Sequence, residues 1–481
     1  MKNLYLLLFL NVAVILGLGL VAVQSEPVSQ PGQSVSLGQK EMAVTVYNNG
    51  LGLIKDVREV ELEQGTAKLE FRDVASSIQP TTVSVKSLDK ADSFKILEQN
   101  YEYDLISQEK ILDKYEGKGV KLVNWNEYHD RQDSVDATLL SASAQIFKVK
   151  DEIYLGYPGY KVVPQIPDNL ISKPTLVWLY DSAQAGPSTL EVSYLTGGIS
   201  WKSDYVVMVS ADEKTGDISG WVTLDNQSGA LYQNAALTLV AGEVNRVTDT
   251  ENVRFPAMPK MMYAAGAVAD DAFQEKSFFE YHRYDLNRKT TIKDKQTKQI
   301  GLLSAPEVGL LKEFIVEGQP GFLFQQVSEP MKSPVNIYIK IKNSKKNHLG
   351  MPLPAGTMRL YKEDDAGRQI FIGEDAIGHT PMDEELKLKM GEAFDLVAER
   401  AQIDYREVSS KIRESEWEIN LKNRKNEDAV IGVVEPMMGN WKIISQTHDY
   451  KKLNATTARF DVLVPKNSEV KLKYRVSTEF R

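Results

Sequence analysis

The chain has 481 residues, 42% apolar and 26% charged, an ordinary globular composition with length for about three domains. A net charge of −9 argues against a nucleic-acid partner, because phosphates call for a basic footprint. With no cysteine there is no disulfide, no thiolate metal site and no cysteine nucleophile.

Met1, Lys2 and Asn3 give a short positive start, and Leu4 to Val23 is apolar except at Asn11. Ala22, Val23, Gln24 and Ser25 follow with small residues at a spacing that a signal peptidase tolerates. Residues 1–25 therefore read as a signal peptide or an N-terminal anchor, since the apolar run also approaches the roughly 20 residues that span a bilayer. Either outcome places the rest outside the cytoplasmic membrane: periplasmic, secreted or anchored by the N-terminus. This segment is the only membrane contact expected. Residues 26–40 read as a polar linker.

A first β unit is expected over 41–100. Val60 and Leu62, then Ala67, Leu69 and Phe71, alternate with charged or polar neighbours about a turn at Glu63, Gln64 and Gly65. The texture changes over 101–170. Ser107 is placed to cap a short helix reaching Tyr115, with Ile111, Leu112 and Tyr115 at helical spacing. Short strands around 120–123, 137–141, 144–149 and 152–157 then predict a small α+β or barrel-like insertion.

The region 171–310 is expected to be a central sandwich organised around Thr189 to Gly242. Leu190, Val192 and Tyr194 alternate with polar residues, and Gly197 with Gly198 supplies a turn or bulge. Tyr205 to Val209 is apolar throughout, the pattern of a strand covered on both faces. Gly220 to Leu224 and Ala235 to Ala241 read as further strands. A long loop with little strand alternation is expected over 248–297, either a disordered excursion or, through Met258, Met261 and Met262, an adaptable contact surface.

A second sandwich is expected over 311–481. Val335, Ile337, Ile339 and Ile341 alternate with polar residues, as do Trp417, Ile419 and Leu421, and Val470, Leu472, Tyr474 and Val476. Asn226, Asn343 and Asn423 each end such a strand, hinting that one sandwich pattern recurs. The basic runs 342–346 and 422–425 read as solvated turns. The fold class is thus mainly β: two or more antiparallel β-sandwich domains with a small barrel-like insertion.

Several motifs carry a resemblance. They are Ser193 to Trp201, Gly220 to Asn226, Tyr281 to Leu286, Pro352 to Gly356, Gly373 to Pro381 and Phe394 to Arg400. Over roughly Leu105 to Arg481 the chain resembles a bacterial domain-of-unknown-function family whose longer relatives are called mucoidy inhibitor A-like proteins. The resemblance implies an exported, mostly β protein and brings no established active site. Those longer relatives have a coiled coil where this chain has 101–170.

Chemistry-bearing candidates are few. His129, His282, His348, His379 and His448 show no pairing at ligand spacing, so no metal or other cofactor is expected. His282 and His379 are the two placed within the family-like motifs, as are the carboxylates of Asp375 and Glu399, candidates for a general acid and base. A salt bridge is the competing use of Glu399. Trp178, Trp201, Trp221, Trp417 and Trp441 would stack on sugars if exposed. Trp221 and Trp417 occupy strand positions and are expected in the core, where truncation costs roughly 3–5 kcal/mol. The sequence therefore favours a non-enzymatic binding or assembly factor at the cell envelope, with an envelope protein or glycan as partner. The alternatives are a carboxylate-dependent hydrolase of envelope polysaccharide and a self-assembling surface subunit.

Overall fold

Period-two alternation of apolar and polar side chains governs most of the described chain, and among the described residues strands take 65% against 4% for helix. The mainly β class with several packed sheets is what forms. A computed structural model describes residues 33–126, 131–167, 169–242, 244–245, 273–323 and 325–480. The signal or anchor segment, His129 and the methionine-bearing part of the expected long loop lie outside the described residues.

The stretch Thr189 to Gly242 is shared between two sheets. Gly186–Thr196 and Tyr232–Ala241 belong to an eleven-stranded sheet, Ile199–Val209 and Thr215–Asn226 to a ten-stranded one. The chain leaves the first sheet at Gly197 and Gly198 and returns just after Asn226. The two crossings are tied together, since Gln227 N donates to the Gly198 carbonyl at 2.6 Å. Gly198 has φ +70°, and a Cβ there would lie 2.8 Å from the Gln227 carbonyl oxygen. Only glycine fits so tight a crossing.

In the first sheet Gln33–Tyr47 pairs antiparallel with Gly52–Leu62 and parallel with Tyr232–Ala241. A branch formed by Gly65–Arg72, Thr175–Ser182 and Phe94–Glu102 shares its core, where Leu69, Phe71, Trp178 and Tyr180 meet Ile54, Val60, Leu190 and Val192. The strands of 41–100 are thus completed by strands from beyond the insertion.

The long strand Gln296–Glu317 ties the central and C-terminal regions. Its first half pairs with Thr215–Asn226, and its last residues pair with Val335–Lys342 and, in parallel, with Ala429–Pro436. A further five-stranded sheet, including Leu396–Glu407, Ile412–Asn423 and Ser468–Glu479, closes the C-terminal core around Trp417, Ile419, Leu421, Val433, Phe460 and Leu472.

The recurrent asparagines have a physical role. Each is fully buried at a strand end, with its side chain bonded to the turns around it. Asn226 Nδ2 donates to the Ala230 and Lys293 carbonyls, both at 2.9 Å. Asn423 Nδ2 donates to Glu427 O at 2.8 Å and Val464 O at 3.0 Å. Asn343 Nδ2 faces the carbonyls of Met351, Thr380 and Pro381. A short amide has both donor and acceptor, so it replaces backbone pairing where the chain turns away from its sheet.

Five expectations need correction. Residues 33–40 are not linker but the first part of the strand Gln33–Tyr47, paired with Gly65–Arg72 and Gly52–Leu62. Residues 273–297 are largely strand: Phe273–Phe278 and Tyr281–Leu286 form a hairpin on Tyr232–Ala241. Tyr205 to Val209 alternates after all, with Val206 and Met208 only half-buried; the strand is flanked on both edges but packed on one face. Trp221 is half-buried and points away from the core side of Val222 and Leu224, whereas Trp417 is fully buried. Finally, the insertion is an open sheet, because its end strands Tyr160–Val162 and Glu152–Leu155 pair with different neighbours and not with each other. Its helix Gln108–Lys114 begins at Ser107, whose hydroxyl accepts from Lys110 N at 3.1 Å.

Candidate ligand-binding face

The residues nominated by chemistry are dispersed, and each has a structural partner. Asp375 lies on Gln369–Ile377, which runs beside Glu385–Glu392 without a backbone ladder between them. Gly373 brings the two close, since a Cβ there would lie 2.7 Å from the Met390 carbonyl oxygen. Asp375 supplies the missing link: its carboxylate accepts from Lys389 N at 2.8 Å and from Ala376 N at 2.9 Å. Glu399 lies in a different sheet and pairs with Lys422 at 2.8 Å. His282 Nδ1 meets Glu275 Oε1 at 2.8 Å within the hairpin of the first sheet. His379 Nδ1 accepts from Ala355 N at 3.2 Å. Asp375, Glu399 and His282 thus sit in three separate sheets. Among the described residues, no group of three or more His, Asp or Glu is placed to hold a metal ion.

The most deeply buried charges are also structural. Arg400 and Glu435 pair at 2.7 Å inside the C-terminal core, with the guanidinium over the rings of Phe322 and Trp417. Burial raises the Glu435 pKa, and the charge of Arg400 opposes that rise. The basic run near residue 424 is a solvated turn, with Arg424 on Glu469 and Lys425 on Glu427.

A different surface emerges when the insertion sheet is followed strand by strand. Its order is Tyr160–Val162, Gly119–Asn126, Arg131–Ser141, Ile146–Val149 and Glu152–Leu155. The helix covers one face, where Leu112 and Tyr115 pack on Leu122, Leu139 and Phe147. Alternation sends Lys121, Val123 and Trp125 to the other face. Tyr160 is opposite Val123, and Val162 opposite Lys121. On the far side, Gln132 is opposite Trp125, Ser134 opposite Val123 and Asp136 opposite Lys121. Directly opposed residues share a face, so Tyr160 and Trp125 are diagonal neighbours on an open surface. Tyr160 is 75% exposed and Trp125 54%. The other five tryptophans are buried or half-buried.

Gly159 sets this arrangement. A Cβ there would lie 2.0 Å from the Val123 carbonyl oxygen, so the short strand carrying Tyr160 sits close against its neighbour only because the preceding residue is glycine. Farther along the same face, Ile153 and Leu155 on the edge strand are 62% and 83% exposed.

Sequence reasoning about tryptophans passed over Trp125. The signal was present in its position two residues after Val123, but Leu122 and Val123 are adjacent apolar residues and blur which face is which. A comparison with protein-family models and with curated proteins finds no match for the chain.

Proposed function

We propose that the protein is an exported, non-enzymatic binding or assembly factor of the bacterial cell envelope, engaging its ligand through the open face of the insertion sheet. The observation that carries this is Trp125, more than half exposed beside an exposed Tyr160. Large aromatic side chains left in water on a rigid sheet are the residues most often found at the energetic centre of binding surfaces. The dispersal of Asp375, Glu399, His282 and His379 into separate structural contacts favours this reading over a hydrolase. Export rests on the apolar N-terminal stretch, and the resemblance to the mucoidy inhibitor A-like proteins supports it.

The test is binding of the purified protein to envelope preparations, followed by co-sedimentation. The wild type is expected to sediment with the envelope, and the Trp125→Ala/Tyr160→Ala double variant to stay in solution. Equal sedimentation of the two proteins, or turnover of an envelope polymer without a stable complex, would overturn the proposal. Self-assembly is supported by one observation: the edge strand Glu152–Leu155 has no lysine or proline to blunt it and exposes Ile153 and Leu155. Concentration-dependent sizing of wild type against Ile153→Lys tests it; identical profiles would remove it.

A further inference from the structure

We infer that the aromatic half of this face is a carbohydrate platform, on which Tyr160 and Trp125 stack against successive rings of an uncharged polysaccharide chain. The inference rests on the reading of that face as the binding surface, and it names the ligand.

Four observations lead there. First, the two aromatics are diagonal neighbours on adjacent strands, a Cα separation of roughly 7–8 Å, so they offer two ring-sized contacts in a row. Second, the floor between them is filled. Val123 is only 4% exposed although it lies on the open face, and a surface without a hole suits a flat sugar ring better than a side-chain knob. Third, the surroundings are polar: Gln132 is opposite Trp125 and Ser134 opposite Val123, both exposed, within reach of the hydroxyls at a pyranose rim. The weakly polarised C–H bonds of the pyranose face settle on the negative face of an aromatic ring. Fourth, the charges near the aromatics balance. Lys121 stands opposite Asp136, and the other lysine on this face, Lys148 opposite Ile153, lies beside the far edge strand, so the aromatic end does not favour an acidic polymer. The contact at Gly159 makes the platform rigid before binding, which lowers the ordering cost.

The probe is the polysaccharide fraction of the envelope, freed of protein by protease, in affinity electrophoresis with the whole chain. The wild type is expected to be retarded equally at low and high salt. Trp125→Ala and Tyr160→Ala are each expected to weaken retardation tenfold or more, and Phe394→Ala, exposed in the C-terminal region away from the insertion, to leave it unchanged. Both aromatics are exposed, so neither variant threatens folding. Absence of retardation, retardation abolished by salt, or retardation indifferent to both aromatics would overturn the inference. Periodate separates the two levels of the argument. If intact envelope keeps Trp125-dependent binding after periodate but loses it after protease, the ligand is a protein; the polysaccharide inference falls and the binding face stands. If envelope binding ignores Trp125 altogether, both fall.

Discussion

Replacing Asn343 by aspartate changes almost no volume and inverts one hydrogen-bonding group. The Asn343 amide nitrogen faces Met351 O at 2.9 Å, Pro381 O at 2.9 Å and Thr380 O at 3.3 Å, while its oxygen accepts from Gly350 N at 3.0 Å. In Asn343→Asp a carboxylate oxygen would face three carbonyl oxygens. Two donated hydrogen bonds are lost at about 1 kcal/mol each, and carbonyls left buried without donors cost about 1–3 kcal/mol more. We therefore expect a loss of about 3–5 kcal/mol at neutral pH, or roughly 10 °C in melting temperature for a domain of this size. The new carboxyl would be held above its ordinary pKa by the facing carbonyls. Its protonated form therefore donates one bond, and the loss grows as pH rises from about 4. Thermal melts of wild type and variant at several pH values give the difference directly, and hydrogen exchange over 344–351 and 378–384 should localise it. A melting temperature within 1 °C of wild type at pH 7 would refute the role assigned to the buried amide (the threshold is roughly a quarter of a kcal/mol).

Other consequences follow from the packing. Trp417→Ala empties a fully buried site against Phe322 and should cost roughly 3–5 kcal/mol, whereas Trp221→Ala, half-buried, should cost less than half as much; equal melts for the two would contradict the assignment of faces. Glu435→Gln leaves the Arg400 charge buried without its partner and should cost about 3–5 kcal/mol, while Arg400→Met with Glu435→Leu should recover most of it; chemical denaturation of the single and double variants decides. At Glu213, burial raises the pKa, but hydrogen bonds and charge from Lys312 and Lys362 outweigh it and bring the group to about 2. That depressed pKa gives stability present above the ordinary value of 4.5 and lost as pH falls toward 2. Because the pair is partly solvated the effect should be about 1 kcal/mol, and Glu213→Gln should flatten the acid limb of the melt profile. Gly159→Ala should detach the strand of Tyr160 without melting the insertion core, read as faster amide exchange at 160–162; unchanged exchange would count against the close approach.

Much of the fold was legible because strand alternation is a local property. Trp417, Ile419 and Leu421 announced a buried face, and Ser107 announced the start of its helix. What alternation does not carry is the identity of the sheet. Nothing local distinguishes Gly186–Thr196 from Ile199–Val209, although they belong to different layers, and the constraint at Gly198 comes from a carbonyl across the crossing. The hairpin over 273–286 was hidden because its exposed strands mix charge and aromatics on both faces, so Tyr284 and Leu286 point inward without a clean period. Asp375 looked like a catalytic acid because it lies in a motif, yet its use is set by a missing ladder, which is a tertiary fact. The candidate site was barely legible. Tyr160 and Trp125 meet through the pairing of two strands that the insertion brings together, and Gly159 shows its purpose only against the Val123 carbonyl.

Ligand is proposed to cover the open face of the insertion sheet. Hydroxyl-radical footprinting of the whole protein, with and without envelope polysaccharide, measures this residue by residue. Reduced oxidation is expected at Trp125 and Tyr160, with no change at Trp221. Protection at Trp221, or none at Trp125 and Tyr160 when the protein is fully bound, would contradict it.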